Sequence, residues 1–114
     1  MHELSIAQEI IDIVKSHVTD EDRVKVRRVE IKVGELQSVL VESLKFCFSG
    51  IRELDNLDNA ELFVEQAPIT VYCEDCGLES QLVNKHFICN KCNSIRVVMR
   101  GGNELQIVAI ELED

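Results

Sequence analysis

Apolar residues recur at helical spacing over residues 4–18. Leu4, Ala7, Ile10, Ile11, Val14 and Val18 share one face, while Gln8, Glu9, Asp12, Lys15 and Ser16 fall opposite. That stripe predicts an amphipathic helix, with Ser5 and Gln8 at capping-box spacing near its start. Thr19-Asp20-Glu21-Asp22 closes it as a polar turn. The period then changes to two over residues 23–33. Val24 and Val26 have one parity and Val29, Ile31 and Val33 the other, so a bulge is expected near Arg27-Arg28. Gly34 ends this strand. Leu40, Val41, Leu44, Phe48 and Ile51 return to helical spacing and predict a second helix to about residue 51, with Ser38 as its N-cap. Residues 52–59 read as a polar turn. Leu62 and Val64 alternate with Glu61 and Glu65 in a strand over 60–66, which Pro68 brings to an end. A last strand covers 104–112, after a hinge-like break at Gly101-Gly102.

Residues 69–102 have no such periodicity, and a different device must organise them. The expected fold class is α+β: a three-stranded sheet with two helices on one face, plus a four-cysteine, zinc-ribbon-like lobe inserted before the last strand. The expected domains are residues 1–68, completed by the strand 103–114, and the lobe 69–102.

The device is a pair of identical brackets, Cys73-Glu74-Asp75-Cys76 and Cys89-Asn90-Lys91-Cys92, with 12 residues between them. A two-residue gap lets both thiolates of a bracket face one ion, and a loop of this length lets the brackets close into a tetrahedral sulfur cage. Gly77 and Asn93 follow the two brackets, and both residue types tolerate the positive φ that such knuckles use. Zinc is the favoured occupant, as a closed structural site. A single iron for electron transfer and a pair of disulfides are the competing readings. Cys47 is left over and reads as a small buried hydrophobe. His86 reads as a surface loop residue, and His17 as a solvated residue at a helix C-terminus.

Charge narrows the function further. The 114 residues carry a net charge of −9, which argues against nucleic acid as a primary partner. No run approaches the roughly 18 apolar residues of a membrane span, and the start lacks the basic region of a secretory signal. The expected compartment is the cytoplasm, where paired cysteines are more often metal ligands than disulfides. No Ser-His-Asp set, HExxH helix or glycine-rich phosphate loop appears, so an enzyme is not expected.

Met1-His2-Glu3 is the second chemical feature. A free α-amine, the His2 amide nitrogen and the His2 imidazole can form fused chelate rings, a donor set that suits Ni(II) or Cu(II). Glu3, water or a partner protein could complete it. Two effects oppose binding: the positive end of the first helix, and the protons that the amine and imidazole must lose.

Taken together, these motifs resemble the HypA family of hydrogenase nickel-insertion proteins over essentially the whole chain. The resemblance rests on Met1-His2-Glu3-Leu4-Ser5, Val33-Gly34-Glu35-Leu36, Ala60-Glu61-Leu62, the two cysteine brackets, and Gly102-Asn103-Glu104-Leu105 with Ile107. It implies a metallochaperone rather than an enzyme. His2 would be the essential nickel ligand, with the Met1 amine and Glu3 beside it, and Cys73, Cys76, Cys89 and Cys92 would hold structural zinc. The implied partners are a hydrogenase maturation GTPase and the hydrogenase large-subunit precursor. Some relatives also serve urease. A weak homodimer is a further expectation; nucleic acid and membrane are not. Asn93 departs from the family, where glycine is common after the last cysteine. The alternative function is a zinc-ribbon module that binds protein or nucleic acid.

Overall fold

The computed structural model describes residues 3–82 and 86–113. The chain divides into two compact units: one takes in the residues up to 32, residues 39–65 and those from 106, and the other residues 33–38 and 66–105.

In the first unit, α1 (Glu3–His17) buries Ile6, Ala7, Ile10, Ile11 and Val14. The acidic Glu3 in its first turn and Lys15 and His17 in its last complement the helix dipole. Leu4, expected in the core, is 57% exposed, and Ile6 takes its place inside. Leu4 lies in the first turn, where it lines a surface cavity with Phe46 and Cys47. α2 (Val41–Ile51) packs on α1 through its buried Leu44 and Phe48. Ser38 does not cap α2. It adopts a left-handed φ of 54° and closes a 3-10 turn, Glu35–Gln37, leaving Leu40 at the helix N-cap. Leu40, expected on the inner face, is 67% exposed, and Cys47 is only half-buried.

The strands of the main sheet fall near the expected segments, β1 (Val26–Gly34), β2 (Glu61–Ala67) and β6 (Leu105–Leu112), in the order β2-β1-β6, although β1 begins three residues later than expected. The Glu113 N–H donates to the Lys25 carbonyl, and the Gly34 N–H to the Glu104 carbonyl. The start of β1 thus meets the end of β6 and the reverse, so the two run antiparallel. A 3-10 turn, Asp20–Lys25, precedes β1 and leaves Val24 exposed outside the strand. Val26 and Val29 are both buried although their parity differs, so the inward side of β1 changes between them.

The second unit holds a sheet that periodicity did not reveal. β3 (Thr70–Cys73), β4 (Glu79–Gln81) and β5 (Val97–Gly101) form it in the order β4-β3-β5. Both pairings are antiparallel, with Tyr72 opposite Glu79 and Cys73 opposite Val97. These strands lie between β2 and β6, so the cysteine segment is inserted before the last strand, as expected. Its apolar interior is small: Val33, Ala67, Ile69 and Val71, with Cys73 and Cys89.

Gly101-Gly102 is not a hinge. Three stretches of backbone cross tightly there. The Gly34 N–H donates to the Glu104 carbonyl and the Leu36 N–H to the Gly102 carbonyl, both at 2.7 Å. Gln37 Nε2 donates to the Asn103 carbonyl at 2.7 Å, and the Gly102 N–H to Glu104 Oε1 at 2.8 Å. A Cβ on Gly34 would lie 2.1 Å from the Gly102 oxygen, and one on Gly102, at φ 115°, would lie 2.6 Å from Ile69 Cα. Only glycine fits a crossing this close.

Candidate metal centre

Each cysteine bracket folds as a knuckle, and the two are built alike. The Gly77 N–H returns to the Cys73 carbonyl and the Asn93 N–H to the Cys89 carbonyl, both at 2.8 Å. Gly77 and Asn93 take φ of 72° and 63°. Asparagine visits this left-handed region more readily than most residues, so the departure at position 93 preserves the turn. The turned backbone aims amides at sulfur: Cys76 N–H donates to Cys73 Sγ, and Lys91 N–H to Cys89 Sγ, each at 3.4 Å.

β3 delivers Cys73 at its end, and the knuckles bring all four sulfurs within 4.8 Å of one another. Cys73 and Cys92 Sγ are 3.6 Å apart, and Cys76 and Cys89 Sγ 3.7 Å. A tetrahedron with Zn–S bonds of about 2.3 Å has edges of about 3.8 Å. The sulfurs therefore stand at the separation that a tetrahedral thiophilic ion needs, and far beyond the roughly 2.05 Å of a disulfide. The first cysteine of each bracket is buried and the second exposed.

The thiols are electrostatically unequal. The backbone N–H groups of Lys91 and Cys92 bring Cys89 down to about 6, and that of Cys76 is the main influence lowering Cys73. The N–H groups of Leu78 and Ser94 pull on Cys76 and Cys92 in the same sense. There, loss of water and the neighbouring sulfurs win: Cys76 is raised, and Cys92 is pushed up to about 12. Four sulfurs this close resist carrying four negative charges without a cation among them. The donor set fits zinc, and a closed four-thiolate shell leaves no position for substrate.

A second layer ties the knuckles together. Asp75, inside the first bracket, accepts hydrogen bonds from Ser94 Oγ and, at 2.7 Å, from Arg96 Nη1. The Arg96 N–H donates to Ser94 Oγ, and the Glu74 N–H to the Arg96 carbonyl. Sequence reasoning missed this link. Its one trace was a carboxylate inside the first bracket and a cation shortly after the second.

Of the other candidates, Met1 and His2 lie outside the described residues. Glu3 opens α1, and its Oε2 accepts the Leu40 N–H at 3.1 Å. His17 is exposed, with Nδ1 2.9 Å from the Ile13 carbonyl oxygen. No helix among the described residues is long and apolar enough to cross a membrane.

Comparison with known proteins gives a consistent picture. A family model described as hydrogenase/urease nickel incorporation, metallochaperone, hypA matches residues 1–112. The hydrogenase maturation factor HypA of Desulfatibacillum aliphaticivorans is 37% identical over 116 aligned residues, which span 100% of this chain and 88% of that protein. Its namesake in Chlorobaculum parvum is 39% identical over 113, spanning 99% of this chain and 100% of the relative. The solution structure of the Ni metallochaperone HypA from Helicobacter pylori superposes with a TM-score of 0.68 at 24% identity, covering 98% of this chain and 97% of that one. At that identity the likeness speaks for the fold.

Proposed function

This chain belongs to the HypA family of hydrogenase/urease nickel-incorporation metallochaperones, and on that premise we propose that it carries Ni(II) at its N-terminus and delivers it to the hydrogenase large-subunit precursor. The observation that carries the reading is the family match itself, which runs from residue 1 and takes in Met1-His2-Glu3. His2 supplies its imidazole and amide nitrogens, Met1 its amine, and Glu3 stands beside them. Imidazole and amide nitrogens suit Ni(II). An incompletely filled set lets the ion leave by ligand exchange.

Zinc is the resident ion of the four cysteines and shapes the lobe 69–102. Nickel is the cargo of the domain formed by residues 1–68 with the strand 103–114. A maturation GTPase cooperates in delivery, in the cytoplasm. The chain works as a maturation factor and not as a catalyst.

The test is nickel titration of untagged protein beside His2→Ala. The variant is expected to lose nickel binding while keeping its zinc content and its circular dichroism. Wild-type nickel affinity in that variant rejects the role of His2. Blocking the Met1 amine with a tag is expected to weaken binding too.

A further inference from the structure

We infer that the resident ion of the four-cysteine centre enters and leaves on the side of Cys76 and Cys92, and that Asp75 is a positioning residue that latches that side. The inference rests on the reading of the centre as a zinc site and adds to it a direction of exchange. The four cysteines are not equivalent. Cys73 and Cys89 are fully buried, whereas Cys76 and Cys92 are exposed. Cys73 closes β3 and pairs with Val97 across the sheet. Its N–H donates to the Leu78 carbonyl, and the Cys89 N–H to the Ser94 carbonyl. The Sγ atoms of this buried pair also accept the Cys76 and Lys91 amides, each at 3.4 Å. Cys76 and Cys92 instead end their brackets, each in a turn. An incoming donor meets the centre first where the sulfurs already meet water. Loss of the ion therefore starts at Cys76 and Cys92. Each sulfur departs with its electron pair and takes up a proton from water, and a donor atom of the acceptor replaces it.

Asp75 holds this side closed. It immediately precedes Cys76, and both of its oxygens reach across to the second knuckle. Oδ2 accepts from Ser94 Oγ, and Oδ1 from Arg96 Nη1 at 2.7 Å. Ser94 lies just beyond Cys92, and its Oγ also accepts the Arg96 N–H at 3.0 Å. Arg96 Nη2 adds a contact to Glu74 Oε1 at 3.6 Å. The segment before Cys76 is thus bonded to the segment after Cys92. Swinging either exposed sulfur out of the cage strains those contacts. The Arg96 and Asp75 side chains are 63% and 41% exposed, and a pair so open to water adds little to stability. Its effect falls on the rate at which the knuckles part.

The experiment uses the untagged full chain, loaded with zinc and checked by elemental analysis. Limiting N-ethylmaleimide, followed by peptide mapping in a mass spectrometer, gives the order in which the cysteines react. Cys76 and Cys92 are expected to react at least about tenfold faster than Cys73 and Cys89. Half-buried Cys47, outside the centre, is the internal reference. In Asp75→Ala, alkylation of Cys76 and Cys92 and zinc transfer to 4-(2-pyridylazo)resorcinol are expected to quicken about three- to fivefold, the scale of an exposed charged contact. The Cys47 rate is expected to stay as it is. Asp75→Asn keeps an oxygen that can accept from Ser94 or Arg96, and is expected to stay within about twofold of wild type. Earlier reaction at Cys73 or Cys89 overturns the inference, and so does zinc transfer in Asp75→Ala at the wild-type rate. An equal acceleration at Cys47 overturns it as well, because it marks a general loosening of the fold. A chain that holds no zinc overturns the zinc reading too, and elemental analysis reveals that before any alkylation.

Discussion

Replacing Gly34 with alanine builds a Cβ 2.1 Å from the Gly102 carbonyl oxygen and 2.2 Å from its carbon. Neither atom is the end of a flexible side chain, so the backbone crossing has to open. Opening it gives up the Gly34-to-Glu104 and Leu36-to-Gly102 hydrogen bonds, each worth about 0.5–1.5 kcal/mol net. Overpacking adds about 1–3 kcal/mol. The expected loss is therefore about 2–6 kcal/mol, enough to consume much of the stability of a domain this size. Gly102→Ala meets Ile69 Cα at 2.6 Å and must also hold φ at 115°, so it should cost as much. Gly101→Ala is the milder control. Its Cβ would meet two side-chain atoms, Thr70 Oγ1 at 3.0 Å and Glu104 Oε2 at 3.2 Å, which can give by a few tenths of an ångström where backbone cannot. Gly50→Ala meets nothing within 4 Å inside α2 and should stabilise by about 0.5–1 kcal/mol. The assay is urea unfolding of the four metal-loaded variants. A Gly34→Ala midpoint equal to wild type, or a Gly50→Ala variant less stable than Gly34→Ala, refutes the argument.

Complete chelation should unfold the cysteine lobe, because the binding free energy of such a site, about 10–16 kcal/mol in small zinc domains, is largely folding free energy; unchanged circular dichroism and tryptic resistance would contradict this. Cys89, depressed to about 6, contributes stability that is fully present above the unfolded thiol range near 8.5 and is lost as pH falls through about 6. Because Cys76 and Cys92 are raised, protons compete with the ion over this whole range, so zinc affinity, measured by chelator competition, should weaken steadily as pH falls from about 8 through 6; an affinity that does not change over that window would count against the thiolate assignment. Nickel affinity should weaken as pH drops from about 8 to 6, where the α-amine and His2 take up protons; a flat calorimetric profile would exclude both as donors. Asp75→Ala should lower the unfolding free energy by less than about 1 kcal/mol, since its ion pair with Arg96 is exposed, while hastening zinc transfer to a competing chelator.

The helices and the main sheet were legible because each buries one side, and burial writes a period into the sequence. Leu62 and Val29 carry that signal openly. In the second sheet the signal is too short to read: β3 alternates over only four residues, Thr70–Cys73, and β4 is Glu79-Ser80-Gln81, with nothing apolar to place. It exists because Cys73 and Cys89 must meet, and the brackets, not the strands, announced that. Ser38 looked like a cap by residue type alone. Its left-handed φ belongs to a turn, and the acceptor at the helix start came from Glu3, 37 residues away. No local rule reads such a contact. Gly101-Gly102 looked like a hinge because glycine marks both freedom and tight approach; the neighbouring backbone of Gly34 and Ile69 decides which applies.

The strand order β2-β1-β6 also sets a timetable for a chain emerging from the ribosome. The middle strand is synthesised early, yet one of its two neighbours, β6, is the last of the described strands to appear. Until then an unpaired flank of β1 faces the surroundings, open to the wrong partner. The thiols meanwhile span only 20 residues, from Cys73 to Cys92, and can gather as soon as those residues clear the exit. Metal capture should thus precede closure of the main sheet, and a nascent chain released before residue 105 would hold its ion while leaving its own centre half dressed.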